Sequence, residues 1–386
     1  MTAKAKHVCN ILMLNYEFPP LGGGAANATS YLLHEFARYP DLKIDLVTSS
    51  TGKFNIERFA DNITVHYLDI NKNKNLHFQT NKDLVTYAYK AYLYSMRLKK
   101  QKHFELCHAF FGIPCGFIAL QLGLPYIVSL RGSDVPFYNK RFYWSDKFLF
   151  KQLSKKIWSN ANRVVANSEG LKELAQKTAS GINIDIIYNG VDTLKFKPAC
   201  NKAHSIKLRI ISTGRLIERK GYHHLLEALK DNRQVELILI GDGNLSTELK
   251  ELALKNNINA KFIGRVEHDS LLKYLHQADL FISPSISEGM SNAILEAMAC
   301  GLPIVTTDTG GSEELINGNG FIVEKASPEA LQKAVALYLK NKSLCQKHGV
   351  ASRKLAEKMS WASSADLYQE LYKTAIGRAC SQLPLS

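Results

Sequence analysis

One stretch of the chain concentrates residues able to hold an anionic or polyhydroxy ligand: Ser283 to Pro303, reading SPSISEGMSNAILEAMACGLP. A strand ends in a polar turn, a helix begins near Ser291, and Gly301 stops that helix before the next strand. The backbone amides of a helix N-terminus lack intrahelical partners and favour an anion. Glu288 lies in the loop and Glu296 two turns later, and carboxylates at such a helix end accept hydrogen bonds from sugar and ribose hydroxyls. A helix cap followed by a solvated glutamate is the plainer reading of the same pattern.

A second set of chemically able residues is cationic. Arg215 and Lys220 flank a short loop in Ser212-Thr213-Gly214-Arg215-Leu216-Ile217-Glu218-Arg219-Lys220-Gly221, at the carboxyl end of a predicted strand. Two fixed cations there can neutralise a leaving diphosphate, although a surface charge pair fits the same residues. Gly241-Asp242-Gly243 follows the next strand, as part of a nucleotide site or as a tight turn. Thr309-Gly310-Gly311-Ser312-Glu313-Glu314 opens a further helix, and its amides can cradle a second phosphate or serve as an ordinary N-cap. Near the start, Phe18 to Gly24 joins a strand to a helix, and its glycines allow close approach of the backbone to a ligand. It matches neither the Walker loop nor the dinucleotide fingerprint. His108, in Cys107-His108-Ala109-Phe110, ends a strand, and as a lone histidine reads as structural more readily than catalytic.

These residues need elements to hold them. Predicted strands at His7–Leu14, Leu42–Val47, Phe104–Ala109, Tyr126–Leu130 and Arg163–Ala166 are interleaved with helices at Gly23–Arg38, Cys115–Leu122 and Glu169–Thr178. After the turn Asn189-Gly190-Val191-Asp192 a second series begins, with strands at Ile206–Ser212, Val235–Ile240, Lys261–Ile263, Leu280–Ser283, Pro303–Thr306 and Gly320–Val323. Alternation of this kind implies parallel βαβ units, hence two doubly wound α/β domains with ligand at the carboxyl ends of the strands. The expected domains are residues 1–190 and 191–361, with the helical tail 362–386 packing back on the first.

Composition narrows the class. A chain of 386 residues with 46% hydrophobic and 22% charged residues is a folded protein of about two domains, neither disordered nor a small disulfide-stapled module. The most apolar run, Cys115 to Leu130, is broken by Gln121, Gly123 and Pro125, so no spanning helix is expected. Val8–Leu14 leads into Glu17 and two prolines, which reads as a strand with no cleavable signal. Seven cysteines without a C-x-x-C pair suggest buried thiols in a reducing cytoplasm. The net charge of +14 is uneven: residues 1–190 hold 24 Lys and Arg against 14 Asp and Glu, net +10, and residues 191–386 hold 25 against 21, net +4. The first half therefore expects an anionic partner. Within it, residues 137–160 carry eight aromatics and six basic residues against one acid, either a packed helix with a solvated lysine face or a segment lying on an anionic membrane surface. No nucleic-acid-binding motif is present, so nucleic acid is not an expected partner.

Taken together the motifs resemble the retaining family-4 glycosyltransferases of GT-B fold. The matching stretches are the early glycine loop, Leu130-Arg131-Gly132-Ser133-Asp134-Val135, Asn189 to Asp192, Gly214-Arg215-Leu216 with Lys220-Gly221, Gly241-Asp242-Gly243, the Glu288 to Glu296 motif and Gly310-Gly311. The resemblance implies two Rossmann-like domains facing a central cleft. It implies that Arg215 and Lys220 bind the donor diphosphate, that Glu288 contacts the transferred sugar, and that Glu296 holds the ribose. It also implies a donor site completed by Gly23, Gly24, Asp242, Arg265 and Val266 beside the base, and Gly289, Met290, Ser291, Asn292, Ala293 and Ile294. The implied reaction moves a hexose from a nucleotide-sugar, by family frequency a UDP-sugar, to a glycan or polyprenyl-linked acceptor in envelope polysaccharide assembly. Configuration is retained, and neither metal nor other cofactor is required. The expected location is the cytoplasm, peripheral to the inner face of the plasma membrane. A sugar-nucleotide epimerase and a non-catalytic nucleotide-sugar-binding scaffold share this architecture and stand as alternatives.

One position departs from the family's commonest pattern. Arg131 stands where many relatives carry a histidine before Gly-x-Asp, and a guanidinium cannot act as a base at any working pH. Arg131, Asp134 and His108 are thus candidate acceptor or substrate contacts, Arg131 for an anionic group, with Asp134 either orienting Arg131 or capping the turn. Arg131→Gln is expected to raise a Michaelis constant or lower turnover; steady-state kinetics unchanged in both would exclude the anion contact.

Overall fold

The structure is a computed structural model that describes residues 8–72, 76, 79–138, 150–200 and 205–381. The chain divides into two compact units, Met1–Tyr188 with Trp361–Ser386, and Asn189–Ser360. Each is built on one sheet covered by helices, so its central strands read as continuous apolar runs rather than alternating ones.

In the first unit eight strands, β1 (Cys9–Leu14), β2 (Leu42–Ser49), β3 (Asn55–Ala60), β4 (Ile63–Leu68), β5 (Leu106–Phe110), β6 (Tyr126–Ser129), β7 (Arg163–Ala166) and β8 (Ile184–Ile186), lie in the order β3-β4-β2-β1-β5-β6-β7-β8. Pairing is parallel except at β3, which turns back on β4 as an antiparallel edge. Ile11 to Leu14 of the central β1 are wholly buried. The helices are α1 (Gly24–Phe36), α2 (Asn81–Gln101), α3 (Phe117–Leu122), α4 (Lys151–Ser159) and α5 (Glu169–Thr178). Ala28, Leu32, Leu33 and Phe36 recur at helical spacing and bury one face of α1. α2 begins at a capping box, in which Thr80 and Asp83 bond each other's backbone amides.

The second unit has six parallel strands, β9 (Leu208–Thr213), β10 (Val235–Ile240), β11 (Ala260–Gly264), β12 (Leu280–Ser283), β13 (Ile304–Thr307) and β14 (Gly320–Val323), in the order β11-β10-β9-β12-β13-β14. Its helices are α6 (Tyr222–Ala228), α7 (Ser246–Lys255), α8 (His268–Gln277), α9 (Asn292–Ala299), α10 (Ser312–Leu315), α11 (Pro328–Lys340) and α12 (Ser343–Lys358). The strand order reverses between β9 and β12, the place where doubly wound sheets leave a crevice for ligand.

The last helix, α13 (Trp361–Ser381), belongs to the first unit. Trp361 stacks on Tyr31 of α1 with ring centroids 5.4 Å apart, and Tyr372 meets Phe36 at 5.8 Å. Among the described residues no helix is long and apolar enough to cross a membrane. Of the basic aromatic segment 137–160, residues 139–149 lie outside the described residues. In its described part Ile157 and Trp158 are core while Lys155 and Lys156 are exposed.

His108 is placed otherwise than a substrate contact requires, and that expectation is corrected. It is fully buried in β5, where Nδ1 bonds the Tyr372 hydroxyl at 2.7 Å and Nε2 the Ser129 hydroxyl at 2.8 Å. Nδ1 thus holds α13 directly through Tyr372, and Nε2 does so through Ser129, whose hydroxyl also bonds that of Tyr368 on α13 at 2.9 Å. Burial, with the Arg131 charge adding to it, pushes the His108 imidazole well below its ordinary value. An unfolded histidine takes up a proton near pH ~6.5 that this buried ring refuses. The unit is therefore at full strength above that pH and weakens as pH falls, by up to about 1.4 kcal/mol per pH unit from this group. Urea midpoints measured from neutral to mildly acid pH should show that slope reduced in His108→Gln, and Tyr372→Phe should cost about 1–3 kcal/mol at neutral pH by leaving Nδ1 unpaired.

Candidate active site

In a parallel sheet the loops after successive strands emerge at one end, and the candidate residues of the second unit all lie there. Arg215 and Lys220 follow β9, Asp242 follows β10, Arg265 and Val266 follow β11, and Gly289 to Glu296 follow β12. The loops after β9 and β12 are locked backbone to backbone across the strand reversal. The Ile286 amide donates to the Arg219 carbonyl at 2.8 Å, and the Arg219 guanidinium donates to the Ser287 carbonyl at 3.2 Å. Gly221 sits at φ +65° where a Cβ would come 2.1 Å from the Pro284 carbonyl oxygen, so only glycine fits. Gly311 likewise presses on the Gly289 carbonyl, with 2.7 Å left for a Cβ, which brings the loop after β13 against the same backbone.

This framework puts the Lys220 ammonium in an ion pair with the Glu288 carboxylate, whose Oε2 also accepts from the Ser285 hydroxyl at 3.3 Å. The two side chains are only 13% and 17% exposed. Burial pushes the Glu288 carboxyl up, but the Lys220 and Arg219 charges and the hydrogen bonds from Lys220 and Ser285 outweigh it and hold it below the usual carboxylate value. The site thus keeps a fixed anion and a fixed cation in contact, with Arg215 exposed in the same loop.

α9 begins at Asn292 after Ser291, whose side chain makes no capping bond. Met290, Ser291 and Ile294 are buried, so what they offer is backbone rather than side chain. The Asn292 side-chain oxygen accepts from the Asn189 amide at 2.8 Å, tying the first residue of this unit to the helix start. Glu296 is held by His268, the first residue of α8, at 2.9 Å from Nε2. The Lys195 ammonium stands 3.2 Å from Nδ1 of the same ring. An ammonium only donates, so in the neutral ring Nδ1 accepts and the proton lies on Nε2, aimed at Glu296. His268 and Lys195 were not singled out from the sequence. The available signal was a histidine opening a helix just beyond the carboxyl end of a strand.

The first-unit candidates sit at the carboxyl ends of their own sheet. Gly23 and Gly24 are exposed at the start of α1. Asp134 is buried and accepts the Gly112 amide at 2.7 Å and the Arg131 amide at 2.9 Å, so it caps the turn after β6 through backbone groups. The Arg131 guanidinium lies 4.6 Å over the Phe110 ring, a cation–π arrangement that fixes its position. Among the described residues no group of three or more His, Cys, Asp and Glu is placed to hold a metal ion.

Comparison with known proteins gives a consistent picture for both halves. Residues 197–355 match the family profile described as glycosyl transferases group 1, and residues 22–195 the one described as glycosyltransferase family 4. A putative teichuronic acid biosynthesis glycosyltransferase of Bacillus subtilis is 30% identical over 249 residues, 61% of this chain and 61% of that protein. Sucrose-phosphate synthase from Thermosynechococcus elongatus superposes with a TM-score of 0.84 at 19% identity, covering 96% of this chain and 100% of the other. The Anabaena protein HepE, solved with UDP and glucose, gives 0.71 at 18%, covering 94% and 99%. The two parallel-sheet units are those of the GT-B fold.

Breaking one side of a mostly buried ion pair strands the other charge, at about 3 kcal/mol. Lys220→Met and Glu288→Gln should each lose about that much in urea unfolding, and the double variant should lose clearly less than their sum, by more than about 1 kcal/mol. Additive losses would mean the pair is not coupled.

Proposed function

The chain belongs to the group 1, family-4 glycosyltransferases of GT-B fold, and from that membership we propose that it moves a hexose, with retention of configuration, from a UDP-sugar to a glycan or lipid-linked acceptor of a cell-envelope polysaccharide. The observation that carries this reading is the Lys220–Glu288 pair, seated where the sheet order reverses, with Arg215 beside it. An enzyme of this kind must stabilise the negative charge that builds on the departing diphosphate, and preorganised cations do that at no cost of reorganisation during the reaction. Arg215 and Lys220 fill that role. Glu288, kept ionised by the same lysine, accepts hydrogen bonds from the transferred sugar and supports the positive charge that develops at its reacting carbon.

Glu296, oriented by His268, takes the ribose hydroxyls, and the backbone from Gly289 to Ile294 takes phosphate and sugar. A departing phosphate oxygen can receive the acceptor's proton on the face it leaves, so retention needs no protein nucleophile and no bound metal. UDP is favoured by the ligand of HepE and the envelope role by the Bacillus relative. The acceptor falls to the basic first unit, with Arg131 as its anion contact, at the cytoplasmic face of the membrane.

Purified protein should show a thermal shift with UDP or a UDP-hexose, in excess over GDP and ADP counterparts, that survives EDTA. A ligand that binds only the native state adds about 2.7 kcal/mol at a hundredfold excess over its dissociation constant. Arg215→Ala should abolish the shift, and the product's anomeric proton coupling should match the donor's. No shift with any nucleotide or nucleotide-sugar would overturn the donor assignment, and a shift without transfer to any acceptor would favour the non-catalytic scaffold.

A further inference from the structure

The second unit holds a cavity of about 800 Å³ at the amino ends of its strands, the end of the sheet opposite the candidate active site. Leu208 at the start of β9 and Pro303 before β13 line it from the sheet, and Tyr338 of α11 and Val350 of α12 from the helices. Sites that take a small molecule have this order of volume and this mostly apolar lining. Two large aliphatic side chains of the lining are left uncovered by the fold, Ile206 at 96% exposure and Val350 at 66%. Exposed apolar residues scattered singly need no explanation, but two that share one apolar cavity mark a place for a ligand.

The cavity is preformed. Gly349 of α12 presses on the Gly301 carbonyl, where a Cβ would come within 2.4 Å. The Arg353 guanidinium, also on the lining, donates to the carbonyls of Phe196 and Ala299 at 2.9 Å each. α12 is thereby tied to the end of α9 and to the turn after Asp192, so a ligand would have little to set in order on binding.

The charged groups of the lining fall into two sets. Both carboxylates are already engaged: Asp279 takes the Arg209 guanidinium through its two oxygens at 3.0 Å, and Glu357 accepts from Arg353 at 2.7 Å. The other three are Lys207, Lys342 and Lys354, all exposed, and among the described residues none of them has a carboxylate partner. An apolar hollow with three unpaired ammonium groups and no unpaired carboxylate selects a molecule with an apolar body and a negative head.

We propose that this cavity binds a small amphiphilic anion, an alkyl or aryl body carrying a phosphate or a carboxylate, one molecule to each chain. The proposal goes beyond the transferase reading and does not depend on the donor site.

The test is titration calorimetry of the full chain with decyl phosphate and with decanoate, each kept monomeric, against decanol and inorganic phosphate. One of the two anionic amphiphiles should bind one to one, and the two arms tell which head is preferred. Decanol should bind more weakly and inorganic phosphate should give no heat. Val350→Asp should weaken binding about tenfold by removing apolar contact, and Lys342→Gln and Lys354→Gln by up to about fivefold each, less in added salt. Melting curves and the nucleotide-induced thermal shift should stay as in the parent, which separates failure here from failure of the donor reading. The proposal is overturned if neither amphiphile binds, if decanol or inorganic phosphate binds as well, if excess UDP displaces the ligand, or if all three variants bind as the parent does. A dimer in sedimentation velocity that Val350→Asp dissociates would equally overturn it, by making a second copy the occupant.

Discussion

The constraint on which the second unit depends is the polarity of a parallel sheet. Every strand from β9 to β14 runs the same way, so every strand-to-helix loop opens at one end and every helix start points its amides there. The reversal of order between β9 and β12 then leaves two of those loops side by side without a helix between them. Their contact is made by backbone, at a distance no Cβ tolerates at Gly221. The Lys220–Glu288 pair is the electrostatic outcome of that contact. Neither residue could be held so enclosed and still charged on a loop free to move, because an unpaired buried charge is too costly.

Much of this was legible in the sequence, and the reason is physical. Buried parallel strands are short apolar runs between turn residues, and Val235–Ile240, Leu280–Ser283, Gly320–Val323 and Arg163–Ala166 occur in the structure as read from the sequence. The candidate residues of the second unit were legible because strand ends and glycines punctuate them. Residues 55–101 carry no such pattern. There β3 and β4 form a tight hairpin at an edge, where half the residues face water, and α2 is apolar on two faces, which erases the period-3.6 contrast that betrays an amphipathic helix.

His108 and His268 show the other limit. His108 lies mid-strand in β5 and His268 opens α8, and the local sequence gives no means of telling their roles apart. His108 is enclosed because tyrosines more than 250 residues away in the chain, on α13, close over it, as the Tyr372 contact shows. His268 meets Glu296 and Lys195 because the start of α8, the middle of α9 and the turn after Asp192 converge there. What a lone titratable residue does is set by partners remote in sequence, and no local pattern encodes them.

The position of α13 has a consequence for how the polypeptide is made. The first unit is interrupted by the second: its sheet is complete by Ile186, but Trp361, Tyr368 and Tyr372 belong to its core and come off the ribosome only after the whole second unit. Synthesis runs at about 5–20 residues per second, and domains are commonly finished in N-terminal order as they emerge. Here that order is inverted. Asn189–Ser360 is contiguous and can close on its own, while the α1 face bearing Tyr31 and Phe36 waits, uncovered, through the translation of an entire domain.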